Sequence, residues 1–190
     1  FTSAAILKLV GEGKLSLDDD FTEYLDFDTK GRTISMNQLL NHTSGIPSYT
    51  ELPEFEDIMV QSYTRDTLLR IVEQNDFLFE PGEAMIYNNS AYFILGLIIE
   101  RISQRTYEEY LKEEFFEPLG MNNTYYSSTS RVIPNRAFGY SYADSGLMQK
   151  QYIDHTWPYA AGSLSSTTDD LLVWMRALHK GKVLNEELYK

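Results

Sequence analysis

The stretch Phe79-Glu80-Pro81-Gly82-Glu83-Ala84-Met85-Ile86-Tyr87-Asn88-Asn89-Ser90-Ala91-Tyr92-Phe93-Ile94-Leu95-Gly96-Leu97-Ile98-Ile99-Glu100 decides how this chain is read. Pro81-Gly82 signals a turn. Met85-Ile86-Tyr87 reads as a short extended stretch. Asn88-Asn89-Ser90 supplies side-chain oxygens of the kind that accept from the first free amides of a helix. The strongly apolar run from Ala91 to about Ile102 is that helix. Gly96 inside it costs about 1 kcal/mol against Ala, which predicts that something packs closely there.

Helical spacing also runs backwards and forwards from this segment. Residues 1–11 carry apolar groups at Phe1, Ala4, Ala5, Ile6, Leu9 and Val10, and Gly11 and Gly13 stop that helix. Leu15, Leu17 and Asp18-Asp19-Asp20 read as a solvated loop. Ser35, or an earlier polar residue, caps a short helix through Leu40. It ends in the breaker cluster Asn41-His42-Thr43-Ser44-Gly45. Residues 54–62 and 65–74 are two further helices, the second capped by Thr64. Thr106-Tyr107-Glu108-Glu109 is a capping box that opens a helix to about Phe116, with Tyr107, Tyr110, Phe115 and Phe116 as core. Over 123–153 aromatic and β-branched residues alternate with polar ones, which predicts short strands or ordered loops. Ser166-Thr167-Thr168-Asp169 reads as another capping box, before an amphipathic helix bearing Leu171, Leu172, Trp174, Met175 and Leu178. The fold class is mainly α with some short strands, in one unit over residues 1–190.

Composition narrows the function. The chain has 190 residues, 43% of them hydrophobic and 14% aromatic, enough to bury a core. Sixteen Lys and Arg against 28 Asp and Glu leave a net charge of −12, a poor match to phosphate backbones. No nucleic-acid partner is expected. No apolar run of about eighteen residues is present, so no membrane span is expected either. There is no cysteine, which removes a thiol nucleophile and a cysteine zinc site. The chain starts at Phe1 and ends at Lys190 inside helical patterns, so it reads as a piece of a longer protein. A processed mature product is the alternative.

Few side chains are placed for chemistry. His42, His155 and His179 lie at no helical metal-ligand spacing, and neither a metal nor a cofactor is expected. Asp154-His155 is a tempting dyad, but adjacent residues rarely face each other productively. Tyr87 stands between a Pro-Gly turn and a helix N-terminus, whose positive partial charge stabilises a nearby anion. A phenol of ordinary pKa about 10, if lowered there, becomes a general base. Asn89 could present its amide to a substrate carbonyl. The plainer reading is a half-buried Tyr and an Asn cap. Trp157, Tyr159 and Ser163 could line a pocket, with core packing and a helix-cap loop as their plainer roles. His42 is expected to hydrogen-bond the backbone.

A resemblance sharpens this picture. Leu39-Leu40-Asn41-His42-Thr43-Ser44-Gly45-Ile46 resembles a segment of the serine β-lactamase-related family, which includes class C β-lactamases, D-alanyl-D-alanine carboxypeptidases and related esterases. Phe79-Glu80-Pro81-Gly82, Tyr87-Asn88-Asn89 and Tyr92 to Glu100 resemble its second signature, in which Tyr-x-Asn precedes a helix. Pro118-Leu119-Gly120-Met121 with Thr124, Ala161-Gly162-Ser163-Leu164-Ser165-Ser166 with Asp169-Asp170-Leu171, and Gly13 to Asp19 are similar to further segments. They stand in the family's order over nearly the whole chain. The family's nucleophile lies in Ser-x-x-Lys. No Ser here has a Lys three residues on, and no Lys-Thr-Gly is present. Phe1-Thr2-Ser3-Ala4-Ala5-Ile6 is similar to the residues just after that motif in relatives.

The resemblance implies the helical subdomain portion of a β-lactamase/penicillin-binding-protein-like α/β fold. It implies a parent serine hydrolase that works through an acyl-enzyme, on β-lactams, D-Ala-D-Ala peptides or small esters. Tyr87 would handle the nucleophile's proton and Asn89 would hold the substrate amide, with Trp157, Tyr159 and Ser163 near the substrate. This chain alone is expected to be inactive. Its uncovered apolar surface is expected to promote self-association. The compartment implied is outside the cytoplasm. The competing reading is a binding or scaffold module of the same architecture without catalysis.

Overall fold

The computed structural model describes residues 1–189. Helix α1, Thr2–Gly11, leads into an ordered bend. Asp20 caps a single 3-10 turn at Phe21–Glu23 by accepting from the Thr22 amide. Asp18 is exposed, as expected of a solvated loop, while Asp19 and Asp20 add defined turn contacts. The Asp19 carboxylate accepts from the Ser16 amide and the Tyr24 hydroxyl, and Asp20 pairs with Ser35. Helix α2, Met36–Leu40, has a complete Ser35–Gln38 capping box. After a 3-10 turn at Tyr49–Glu51 comes α3, Phe55–Ile58, and then α4, Arg65–Glu73, capped by Thr64 as expected. Helix α3 is far shorter than residues 54–62. The Met59 carbonyl accepts from the Asp154 amide at 2.8 Å, so the backbone leaves the helix to meet a distant segment.

Helix α5, Asn89–Ser103, is the axis of the molecule. Asn88 is its cap: Oδ1 accepts from the Ala91 amide at 2.8 Å. Six residues in its middle, Phe93, Ile94, Leu95, Gly96, Ile98 and Ile99, are buried. Helix α6, Tyr107–Leu111, opens with the Thr106–Glu109 capping box and continues through a π-type turn, Lys112–Phe116, into α7, Glu117–Leu119. Tyr107, Tyr110, Phe115 and Phe116 are core residues, as their spacing predicts.

The strands are short. Strand β1, Tyr125–Tyr126, pairs antiparallel with β4, Leu164–Ser165, across almost forty residues of sequence. Strands β2, Tyr140–Ala143, and β3, Gly146–Gln149, form an exposed hairpin. Helix α8, Tyr159–Gly162, lies against α5, and α9, Thr168–His179, against α7. A last turn, α10, covers Glu186–Tyr189. The cap of α9 is Thr167, one residue beyond the expected Ser166. The Ser166 hydroxyl is spent on Thr124 Oγ1, 2.8 Å away.

Gly96 fulfils its prediction. A Cβ at that position would lie 2.3 Å from Ala160 Cβ and 2.6 Å from Tyr159 Cε1. The absence of a side chain is what lets α8 seat on α5. Helix α1 joins the same stack: Thr2 Oγ1 donates to the Ala160 carbonyl at 2.7 Å and accepts from Tyr107 Oη at 2.6 Å.

Candidate active site

The N-terminal end of α5 gathers three segments. The breaker loop runs alongside the stretch leading to α5. Gly45 O accepts from Leu78 N at 2.9 Å, Thr43 O from Gly82 N at 2.8 Å, and His42 O from Ile86 N at 3.1 Å. Gly45 is required there twice over. Its φ is +74°, and a Cβ would meet Phe79 O at 2.0 Å. The buried Asn88 side chain closes the seam by donating to the Ile46 carbonyl while its oxygen caps α5.

Tyr87 and Asn89 emerge on either side of that buried Asn88. Tyr87 is 65% exposed. Asn89 is half-buried and tied to a hydroxyl pair. Its Nδ2 donates to Thr50 Oγ1 at 3.0 Å, and its amide donates to Ser48 Oγ at 3.2 Å. The two hydroxyls lie 3.0 Å apart. Beneath them, Ser90 Oγ accepts from the Tyr49 amide at 2.9 Å, and Tyr49 Oη donates to the Trp157 carbonyl at 2.6 Å. Helix α1 reaches the same rim, with Ser3 Oγ donating to Tyr92 Oη at 2.9 Å and Tyr92 Oη donating to the Leu40 carbonyl at 3.1 Å.

His42 meets the backbone through its ring: the Asn88 amide donates to Nδ1 at 3.2 Å. The ring lies 4.8 Å from that of Tyr87 and 5.0 Å from that of Tyr92. Burial holds the imidazole below its ordinary pKa. Sequence reasoning expected the backbone bond but missed the ring stack. It also passed over Ser48 and Thr50, which as turn hydroxyls carry no distinguishing signal.

The three residues expected near the substrate are not brought to this rim as side chains. Trp157 is fully buried among Tyr49, Phe55 and Tyr63, with Nε1 donating to the Gln61 carbonyl at 3.1 Å. It is a core residue, because that aromatic cluster encloses it. Tyr159 is 1% exposed, at a φ of +35°, with the Arg65 guanidinium 4.0 Å from its ring centre. It touches a separate cavity of about 270 Å³ bordered by Thr64, Ser127, Thr129 and His155. Ser163 is fully buried and donates to the His155 carbonyl at 3.0 Å. Asp154 and His155 do not form a dyad. Burial pushes the Asp154 carboxyl up, but hydrogen bonds from the Thr156 amide and hydroxyl and from Tyr152 outweigh it and hold it below the usual range. His155 Nε2 lies 3.0 Å from Arg136. Among the described residues no group of acidic or histidine side chains is arranged to hold a metal ion, and no helix is long and apolar enough to cross a membrane.

A buried central helix that presents Tyr-x-Asn at its N-terminus, beside a hydroxyl-bearing loop, belongs to the β-lactamase and penicillin-binding-protein class of fold. The profile of the Beta-lactamase family matches residues 1–190, and the chain belongs to that family. It is 31% identical over 188 residues to a putative penicillin-binding protein PbpX of Bacillus subtilis, covering 99% of this chain and 46% of that protein. It superposes on the octameric penicillin-binding protein homologue from Pyrococcus abyssi with TM-score 0.82 and 32% identity, covering 99% of this chain and 45% of that one. It superposes on the D-amino acid amidase from Ochrobactrum anthropi with TM-score 0.85 and 27% identity, covering 99% and 54%. The chain spans less than half the length of the curated relatives it matches. The family is one of serine hydrolases.

Proposed function

We propose that the whole protein is a serine hydrolase that works through an acyl-enzyme, and that this chain supplies the tyrosine and asparagine of its site. The observation that carries the reading is the convergence of Tyr87, Asn89 and the start of α1 on one rim. A segment leading into Phe1 would arrive beside Tyr92, one turn into α5. A serine and lysine brought there would have Tyr87 within reach to take the nucleophile's proton. Asn89, steadied by Ser48 and Thr50, would donate to the substrate's amide carbonyl. Trp157, Tyr159 and Ser163 would serve as the packed floor behind the rim.

The substrate class we favour is an amide or strained amide: a β-lactam or a peptide ending in D-Ala-D-Ala. Small esters are the alternative. Likeness to a penicillin-binding protein and to a D-amino acid amidase supports the amide side. Exposed Leu171, Leu172 and Met175 on α9 support self-association, and one structural relative is octameric.

Intact-mass spectrometry after incubation with a penicillin, and separately with a fluorophosphonate, tests the reading. Residues 1–190 alone should gain no mass. A chain extended at both ends should gain one acyl group. An adduct on residues 1–190 would place the nucleophile within them, and no adduct on either would favour a non-catalytic binding module.

A further inference from the structure

We propose that His42 is a positioning residue for Tyr87, a neutral imidazole clamp that holds the backbone on both sides of it. The proposal rests on the reading of Tyr87 as the proton-transfer group. His42 makes two hydrogen bonds to the segment that carries Tyr87. Its carbonyl accepts from the amide of Ile86 at 3.1 Å, and its Nδ1 accepts from the amide of Asn88 at 3.2 Å. Tyr87 is the residue between them. The same ring packs against the Tyr87 ring, 4.8 Å between centres, and stacks on Tyr92 at an interplanar angle of 24°. Tyr92 is itself pinned to α1 through Ser3 and to the end of α2 through Leu40. Tyr87 is mostly exposed, so these contacts do much to orient it. His42 holds the clamp from a left-handed backbone position, φ +64°, which few side chains adopt.

The clamp works in one protonation state only. A ring nitrogen that accepts from an amide must keep its lone pair, so the proton of the neutral ring sits on Nε2. Protonation at Nδ1 would set an N–H against the Asn88 N–H. The titratable groups facing the ring are Tyr87, from the stretch before α5, and Tyr92, from α5. Imidazole is the side-chain type in this stack whose ordinary pKa falls between about pH 5 and 8. Burial, which disfavours the imidazolium, keeps the clamp closed at neutral pH. Asn89 is held separately by Ser48 and Thr50, so acid should release Tyr87 and leave Asn89 in place.

An NMR pH titration of residues 1–190 tests this without any assay of hydrolysis, so the acyl-transfer reading and the clamp can fail separately. Nitrogen shifts should identify the Nε2–H tautomer of His42 at pH 8. As the pH falls, the Asn88 amide and the Tyr87 ring should shift with the His42 midpoint, below 6.5, while the Asn89 side-chain amide stays put. In His42→Phe, which keeps a ring but has no acceptor, the acid step in Tyr87 should vanish. His42→Asn, which tolerates the left-handed backbone, guards against a folding defect and should also lose that step. A His42 midpoint at or above 6.5, a Tyr87 ring indifferent to it, or an acid step that survives in the variants would overturn the proposal.

Discussion

Replacing Gly96 by Ala should destabilise the protein, although helix propensity alone favours Ala by about 1 kcal/mol. The new methyl would stand 2.3 Å from Ala160 Cβ and 2.6 Å from the Tyr159 ring. Ordinary contact begins near 3.4 Å, so α8 must retreat from α5 by roughly 1 Å. That retreat is resisted. The Ala160 carbonyl is bonded to Thr2, and the Tyr159 ring packs against Arg65, Phe93 and Tyr107. Overpacking costs about 1–3 kcal/mol, and a strained Thr2 bond adds about 1. After the propensity gain of about 1 kcal/mol, a net loss of about 1–3 kcal/mol remains. Urea unfolding followed by circular dichroism should show the midpoint fall with an unchanged slope. The melting temperature should drop by about 2–12 °C for a chain of this size. Gly162→Ala is the control. Its nearest neighbour is Pro158 Cβ at 3.4 Å, so stability should hold or rise by about 0.5 kcal/mol. A Gly96→Ala protein as stable as the parent would refute the close-packing argument.

Two further outcomes rest on contacts of the same kind. Asn88→Ala removes the cap of α5 and leaves the Ile46 carbonyl unpaired in the interior, which should cost about 2–4 kcal/mol by denaturant titration, with Asn88→Asp recovering the cap but not the Ile46 bond. The Asp154 carboxyl, held below its ordinary value in the fold, is protonated first in the unfolded chain as the pH falls. Its contribution is therefore complete above the ordinary value and is lost through the folded value, and Asp154→Asn should flatten the fall in melting temperature below about pH 4.

Much of this was legible because it is local. Ser35, Thr64, Asn88 and Thr106 cap their helices within three residues, so a side chain and the amide it satisfies sit in one short window of sequence. Gly96 announced itself as a conflict between pattern and propensity. The Ser166 expectation failed because a distant hydroxyl, Thr124, competed for the same side chain. Residues 54–62 failed as a full helix because Asp154, almost a hundred residues on, takes the Met59 carbonyl. Trp157 could be read as pocket or core from sequence, and only the neighbours Tyr49, Phe55 and Tyr63 decide for core.

The sequence by itself determined the helices, their caps, the segments that mark the family, and Tyr87 and Asn89 as the residues to follow. The helices and caps are legible because short-range hydrogen bonding follows the order of residue types along the chain, whereas Tyr87 and Asn89 stood out through the family resemblance. Only the tertiary structure decided that His42 bonds both neighbours of Tyr87, that Ser48 and Thr50 steady Asn89, and that α1 ends its approach at Tyr92. Those contacts join residues some forty to ninety positions apart. Their geometry exists only once the buried faces of α1, α5 and α8 have packed, and no local pattern encodes which distant surface that packing brings near.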